Sequence, residues 1–289
     1  MNGTEAYDRV SHRSSSGAFI AQALDIIHDA QTTNENRQKA LELLESEKQS
    51  PDAARLGYEL AADKSARAVL RHHGLFLLEQ SLRHKWSSFD EQQILQMRNW
   101  TISLSRDVAE GDPLYLRNKV AQLFLELAKK DWALSWYDMD SILLALWKHS
   151  PIHQELVLTV LENLSEDVFV RDDAASSLRG SDLNHALVEI FTSTSTFPDG
   201  HNKGRPDLRA DSDGWLVRIS HLLTVYASSG VDAAQTVTCT CKALATLRSA
   251  FTWIMGSAIV TAQCLTSICA CLNLENVNVL LVGQGPLLP

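Results

Sequence analysis

Two groups of side chains in this sequence have the types that ligate metals or act as nucleophiles. Cys239-Thr240-Cys241 and Cys269-Ala270-Cys271, with Cys264 between them, make up all five cysteines, and His72 and His73 stand side by side. Zinc ligands usually come as C-x2–4-C pairs on turns with polar neighbours. Here the neighbours are Leu265, Ile268 and Leu272, so the thiols read as buried, unreactive sulfurs on an apolar helix face. Adjacent residues on a helix point about 100° apart and cannot share a metal. His73 is therefore expected to face the core with Leu70 and Leu77, leaving His72 partly exposed. Asn202-Lys203-Gly204-Arg205 faintly resembles a guanine-reading Asn-Lys-x-Asp element but lacks its aspartate. No nucleophile elbow, phosphate loop or dinucleotide glycine fingerprint accompanies it. The expectation is a protein with no catalytic residue, no metal and no cofactor.

Composition narrows the partners. A net charge of −9 argues against non-specific nucleic-acid binding, which needs a basic surface. It suits a protein partner with basic patches. The first 238 residues contain no cysteine, the pattern of a reduced intracellular chain. No signal peptide is visible: residues 1–16 are polar and expected to be disordered, and the sequons at Asn2, Asn99 and Asn163 read as chance. The run Ser249–Leu274 is uncharged and long enough to span a membrane. Thr252, Gly256, Ser257, Thr261 and Gln263 interrupt it, so two core helices are the preferred reading over a tail anchor.

Positioning of all these groups falls to helices. Ile20, Ala23, Leu24 and Ile27 form one stripe of helical period, and Val120, Leu123, Phe124 and Leu127 another; the same period continues to Tyr226. Ser50-Pro51, Asp112-Pro113 and Ser150-Pro151 pair a capping side chain with proline at a helix start. Thr32 with Glu35 and Ser88 with Glu91 have capping-box spacing. The resulting pairs are 17–30 with 33–48, 51–62 with 65–85, 89–110 with 113–131, and 138–149 with 151–169. Residues 193–214 break the pattern and read as a long mobile loop. Helices resume at Trp215, and 215–289 are expected to hold further repeats that continue past Pro289, because Gln284–Pro289 supplies no polar capping helix.

One interval recurs. Arg83-His84-Lys85-Trp86 is matched 46 residues later by Lys129-Lys130-Asp131-Trp132, and Trp100 is matched 47 residues later by Trp147. Helix pairs at such spacing are HEAT-type repeats, units that bury their apolar faces only by stacking on neighbours. The expected fold is an all-α, right-handed HEAT-repeat solenoid of five or six pairs with second helices on its concave face.

The repeating residues also resemble a known family. Val69-Leu70-Arg71-His72-His73-Gly74-Leu75 with Leu78-Glu79 and Trp86 is similar to the second repeat of the importin-β superfamily, and Ala128–Trp132 with Trp136-Tyr137-Asp138-Met139 to its third. Glu155–Leu158 with Leu164–Val168 resembles exportin-5 and its fungal counterparts. Ala133 and Tyr137 stand where the family usually has proline, so the corner there is expected to be less rigid with its tryptophan packing kept. The resemblance implies the N-terminal arm of a longer superhelix over residues 17–192. It also implies a shuttling nuclear export receptor whose second helices bind GTP-bound Ran, with protein or small-RNA cargo, nucleoporins as further partners, and no membrane. On it, Arg37, Glu42, Arg67, Arg71 and Gln122 are the candidate Ran contacts, and Trp86, Trp132 and Trp136 the structural anchors. The five contacts lie off the apolar stripes, Arg67 and Arg71 opposite Val69, Leu70 and Leu77, so replacing them is not expected to disturb the core. The competing reading is a HEAT scaffold or adaptor without a GTPase partner.

Overall fold

The structure is a computed structural model that describes residues 17–170, 179–196, 206–229, 234–273 and 279. The N-terminal 1–16, the Asn202–Arg205 element and the final Gln284–Pro289 lie outside the described residues. Among the described residues the fold is all-α, and the one β-type pairing is an isolated bridge between Trp132 and Trp136. In chain order the helices are α1 (17–28), α2 (Asn34–Gln49), α3 (Ala53–Ala62), α4 (Ala68–His84), α5 (Glu91–Arg106), α6 (Leu114–Asp131) and α7 (Met139–Trp147). They continue with α8 (Pro151–Phe169), α9 (Gly180–Phe191), α10 (Trp215–Ser229), α11 (Ala234–Ala250), α12 (Gly256–Thr261) and α13 (Cys264–Leu272). Two compact units result, one of residues 1–107 and 111–123, the other of 108–110 and 124–289.

In the first unit the apolar stripes meet as their period dictates. Ile20 and Leu24 of α1, Leu56 and Leu60 of α3 and Leu77 of α4 form one core cluster, with Leu44 of α2 and Leu70 of α4 packed on it. Helices α3 and α4 make the main pairing of this unit, and two glycines bring their backbones together. A Cβ on Gly57 would stand 2.7 Å from the Gly74 carbonyl oxygen, and one on Gly74 would stand 2.5 Å from the Gly57 oxygen and 2.7 Å from Ala61 N. Beside them Tyr58 stacks on Trp100 of α5, ring centroids 4.9 Å apart.

The helix starts differ from the sequence expectation by one or two residues. Thr33, not Thr32, caps α2, its hydroxyl accepting the Asn36 N–H at 3.3 Å. The capping box of α5 is Asp90 with Gln93, not Ser88 with Glu91: Asp90 Oδ1 accepts from Gln93 N at 2.8 Å and Gln93 returns a bond to Asp90 N at 2.9 Å. Pro51 lies in the turn before α3, whose first helical residue is Ala53, whereas Pro151 does sit at the start of α8.

The second unit is built around two tryptophans and one helix. Trp132 and Trp136 are fully buried, and the Phe124 ring lies 5.2 Å from that of Trp136. Between them the chain turns through Ala133, which has a φ of +60°. The Asp131 carbonyl accepts the N–H groups of Leu134, Ser135 and Trp136, and its carboxylate accepts Ser135 Oγ at 2.7 Å. Arg179 donates to the Lys129 and Trp132 carbonyls, satisfying the end of α6. The corner is thus closed by hydrogen bonds that Asp131 accepts, which keep the tryptophan packing without proline.

Helix α8 is buried on nearly all sides and packs against α7, α9 and α11. Three of its buried carboxylates are partnered. Glu155 accepts from Gln235 Nε2 at 3.0 Å, Glu162 pairs with Lys242 at 2.7 Å, and Asp167 pairs with Lys129 at 2.9 Å. Lys129 is buried between Asp167 and Glu126; burial alone would lower its ammonium pKa, but the two carboxylates outweigh this and raise it. Helix α10 packs on α13.

Residues 206–214 lead into α10 through specific bonds. Leu208 N donates to Glu189 Oε1 at 2.6 Å, and Asp140 accepts Ala210 N at 2.7 Å and Trp215 Nε1 at 2.6 Å. Burial raises the Asp140 pKa against those donors. Gly214 is required there, since a Cβ would come 2.3 Å from the Phe191 carbonyl oxygen. The uncharged run from Ser249 is split into the end of α11, α12 and α13, with Trp253 stacked on Phe169 at 4.2 Å. No helix among the described residues is long and apolar enough to cross a membrane.

Candidate interaction surface on the second helices

The five candidate contacts all lie in the first unit, on or beside α2, α4 and α6, but they are not alike. Glu42 is exposed on α2 and accepts from Gln38 Nε2 at 3.0 Å. Arg37 is half-buried and donates from Nη2 to the Asp29 carbonyl at 3.0 Å, tying the start of α2 to the preceding turn. Gln122 is half-buried on α6. Arg67 is not in the helix: it is the residue before α4, and its guanidinium reaches back to Asp25 of α1 at 2.6 Å, with both side chains more than half exposed.

Arg71 departs from the expectation. Its side chain is only 12% exposed, Nη1 lies 2.6 Å from Asp112 Oδ1, and Nε donates to the Ala61 carbonyl at 3.3 Å. Lys64 adds a second cation 3.7 Å from Asp112. Arg71 therefore pins the turn before α6 onto α3 and α4. The opposite error concerns Val69, expected in the core with Leu70 and Leu77, which is 43% exposed.

Correcting α4 reveals which side chains share the uncovered face. Val69, His72 and Phe76 follow one another at helical spacing, and none is fully buried. The His72 ring meets Tyr115 of α6 edge-on at 5.4 Å, and Lys119 lies over the Phe76 ring at 5.6 Å while pairing with Glu79. Tyr115 is 46% and Leu114 53% exposed. The surface is thus apolar and aromatic at its centre with Arg67 at its edge. A signal for it was present in the sequence: shifting the α4 stripe to Leu70, Gly74, Leu77, Leu78 and Ser81 leaves Val69, His72 and Phe76 as the next face. Burial and the neighbouring lysine lower the His72 pKa. His73 is turned further in, and burial pushes its pKa down to about 4.

The remaining anchors and thiols sort by burial. Trp132 and Trp136 are core residues, while Trp86 is half-buried in a short 3-10 turn with its ring 6.3 Å from Phe89. Cys239, Cys264 and Cys271 are buried, Cys241 is intermediate and Cys269 is exposed, so the expectation of buried thiols fails at Cys269. No group of three or more His, Cys, Asp or Glu side chains among the described residues is arranged to hold a metal.

Paired helices with HEAT-type spacing, closed at a tryptophan corner and leaving a second-helix face uncovered, define a helical-repeat protein. The family model described as Exportin 1-like protein matches residues 113–197. Protein MSN5 of Saccharomyces cerevisiae is 28% identical over 281 residues, 90% of this chain and 22% of that protein. An uncharacterized protein of Schizosaccharomyces pombe is 28% identical over 267 residues, 86% of this chain and 21% of its own length. Exportin-5 of Mus musculus is 26% identical over 177 residues, 59% of this chain and 14% of its own. The chain spans about a fifth of the length of the MSN5 and Schizosaccharomyces pombe proteins. It is a relative of the importin-β/exportin proteins.

Proposed function

We propose that this chain is part of a nuclear export receptor and that the second helices of its first unit bind GTP-bound Ran. The observation supporting this most directly is the uncovered face of α4 and α6, with Val69, His72 and Tyr115 around its centre and Arg67 at its edge, in a chain related to exportin-5. An apolar centre with a charged rim is the usual anatomy of a protein–protein contact. A GTPase whose switch segments are ordered only by the γ-phosphate presents a complementary surface in one nucleotide state. Cargo, protein or small RNA, would then be linked to Ran: each raises the other's affinity by the same factor, and hydrolysis releases both. This makes the protein a shuttling receptor between nucleus and cytoplasm, meeting nucleoporins on the way, and not an enzyme.

The test is a titration of the chain with Ran loaded with GTP and, separately, with GDP. Binding to the GTP form alone is the expected result. Equal binding, or none, would instead favour a scaffold of helical repeats without a GTPase partner.

A further inference from the structure

We propose that Asp25 is an intramolecular competitor for Arg67, so that a partner's carboxylate must displace it before the guanidinium can be engaged. This rests on the Ran reading above. Arg67 and Asp25 are 63% and 58% exposed and 2.6 Å apart, whereas Arg71 and Asp112, also 2.6 Å apart, are 12% and 9% exposed. Of these two ion pairs, only the first exchanges partners without drawing a charge out of a buried site. The backbone of Arg67 is fixed, since its carbonyl accepts the Leu70 and Arg71 N–H groups at 2.9 and 3.1 Å. Its side chain makes no capping bond to α4. The guanidinium therefore pivots from a fixed point between α1 and the surface beyond, and Asp25 decides how often it points away.

An exposed ion pair is weak, so the effect is a tuning of affinity and of its salt response. Asp25→Asn keeps the shape of the side chain and removes the charge. The decisive comparison measures the affinity for GTP-loaded Ran of four proteins: the wild type, Asp25→Asn, Arg67→Ala and the double variant. Asp25→Asn is expected to tighten binding about two- to fivefold at low salt, with the gain shrinking as salt rises. Arg67→Ala is expected to weaken binding about tenfold, and the double variant to match Arg67→Ala, because Asp25 has nothing left to withhold. Thermal unfolding of all four should coincide, which keeps a folding defect apart from a binding effect.

Three results would count against the proposal in different ways. Arg67→Ala weakening binding while Asp25→Asn leaves it unchanged overturns the competition and leaves the Ran contact standing. An equal gain from Asp25→Asn with and without Arg67 means that the carboxylate merely repels the partner, and again overturns it. A wild type that ignores GTP-loaded Ran takes both readings down.

Discussion

Arg71 and Asp112 form an ion pair at 2.6 Å that is nearly closed to solvent, 41 residues apart in the chain, and it joins the start of α4 to the turn before α6. Two arginines four residues apart thus have different trades: Arg71 holds the first unit together, and Arg67 faces outward.

Single replacements should separate them. Arg71→Ala removes the nearer of the two cations described beside the largely buried Asp112, and is expected to cost about 2–3 kcal/mol. Arg67→Ala breaks an exposed pair and is expected to change stability by no more than about 0.5 kcal/mol. Urea unfolding of the two variants checks this, and equal midpoints would contradict the assignment.

Gly57 and Gly74 leave no room for a methyl group on either helix. Gly57→Ala and Gly74→Ala each force a backbone carbonyl to move, not the flexible end of a side chain. Each should destabilise the first unit by about 2–3 kcal/mol despite the better helix propensity of alanine. Gly111, with open space around its Cβ position, is the control, and Gly111→Ala should be nearly neutral.

Burial holds His73 neutral, with its pKa down at about 4 against an ordinary value of 6.5. The unfolded chain therefore binds a proton between those values that the folded chain refuses. The stability involved is complete above pH 6.5 and is lost as pH falls from about 6.5 toward about 4, to a limit of about 3 kcal/mol. His73→Leu should remove that part of the slope. The difference in unfolding free energy between wild type and variant, followed from pH 7 to 4, is the measurement; a constant difference would refute it.

Thiol labelling reads the burial of α11 and α13. Burial pushes the thiol pKa of Cys239 up to about 12 and that of Cys271 up to about 11, while Cys269 is exposed. In the folded protein Ellman's reagent should react fastest at Cys269, and Cys269→Ser should abolish the fast phase. Cys239, Cys264 and Cys271 should react only once denaturant opens the unit. Rapid labelling of these three would mean that α11 and α13 do not pack as described.

Helices were readable wherever an apolar stripe kept one period, and this is why α2, α4, α6 and α8 start and stop within a few residues of expectation and α10 starts at Trp215. Caps were less readable because competing side chains sit close together: Thr32 beside Thr33, and Ser88 near Asp90, both offer oxygens, and the box spacing fits either choice at the second site. Arg71 was unreadable for another reason. Its burial depends on Asp112, and no local pattern announces a partner 41 residues away. Val69 fell on the wrong face because the first turn of a helix lies at the rim of its packing surface, where an apolar residue has no neighbour to cover it.

Ala133 holds a backbone angle that proline, locked near a φ of −65°, cannot adopt. The resemblance to the importin-β superfamily implies proline there, so a proline taken from that pattern would fail at this position. Ala133→Pro is expected to cost several kcal/mol and also to remove the N–H that bonds the Trp136 carbonyl, whereas Ala133→Gly should be close to neutral. The corner works as a unit: Asp131 closes it by accepting the N–H groups of Leu134, Ser135 and Trp136, and residue 133 must then hold a positive φ. Proline at residue 133 and this Asp131-centred turn are incompatible solutions for one corner.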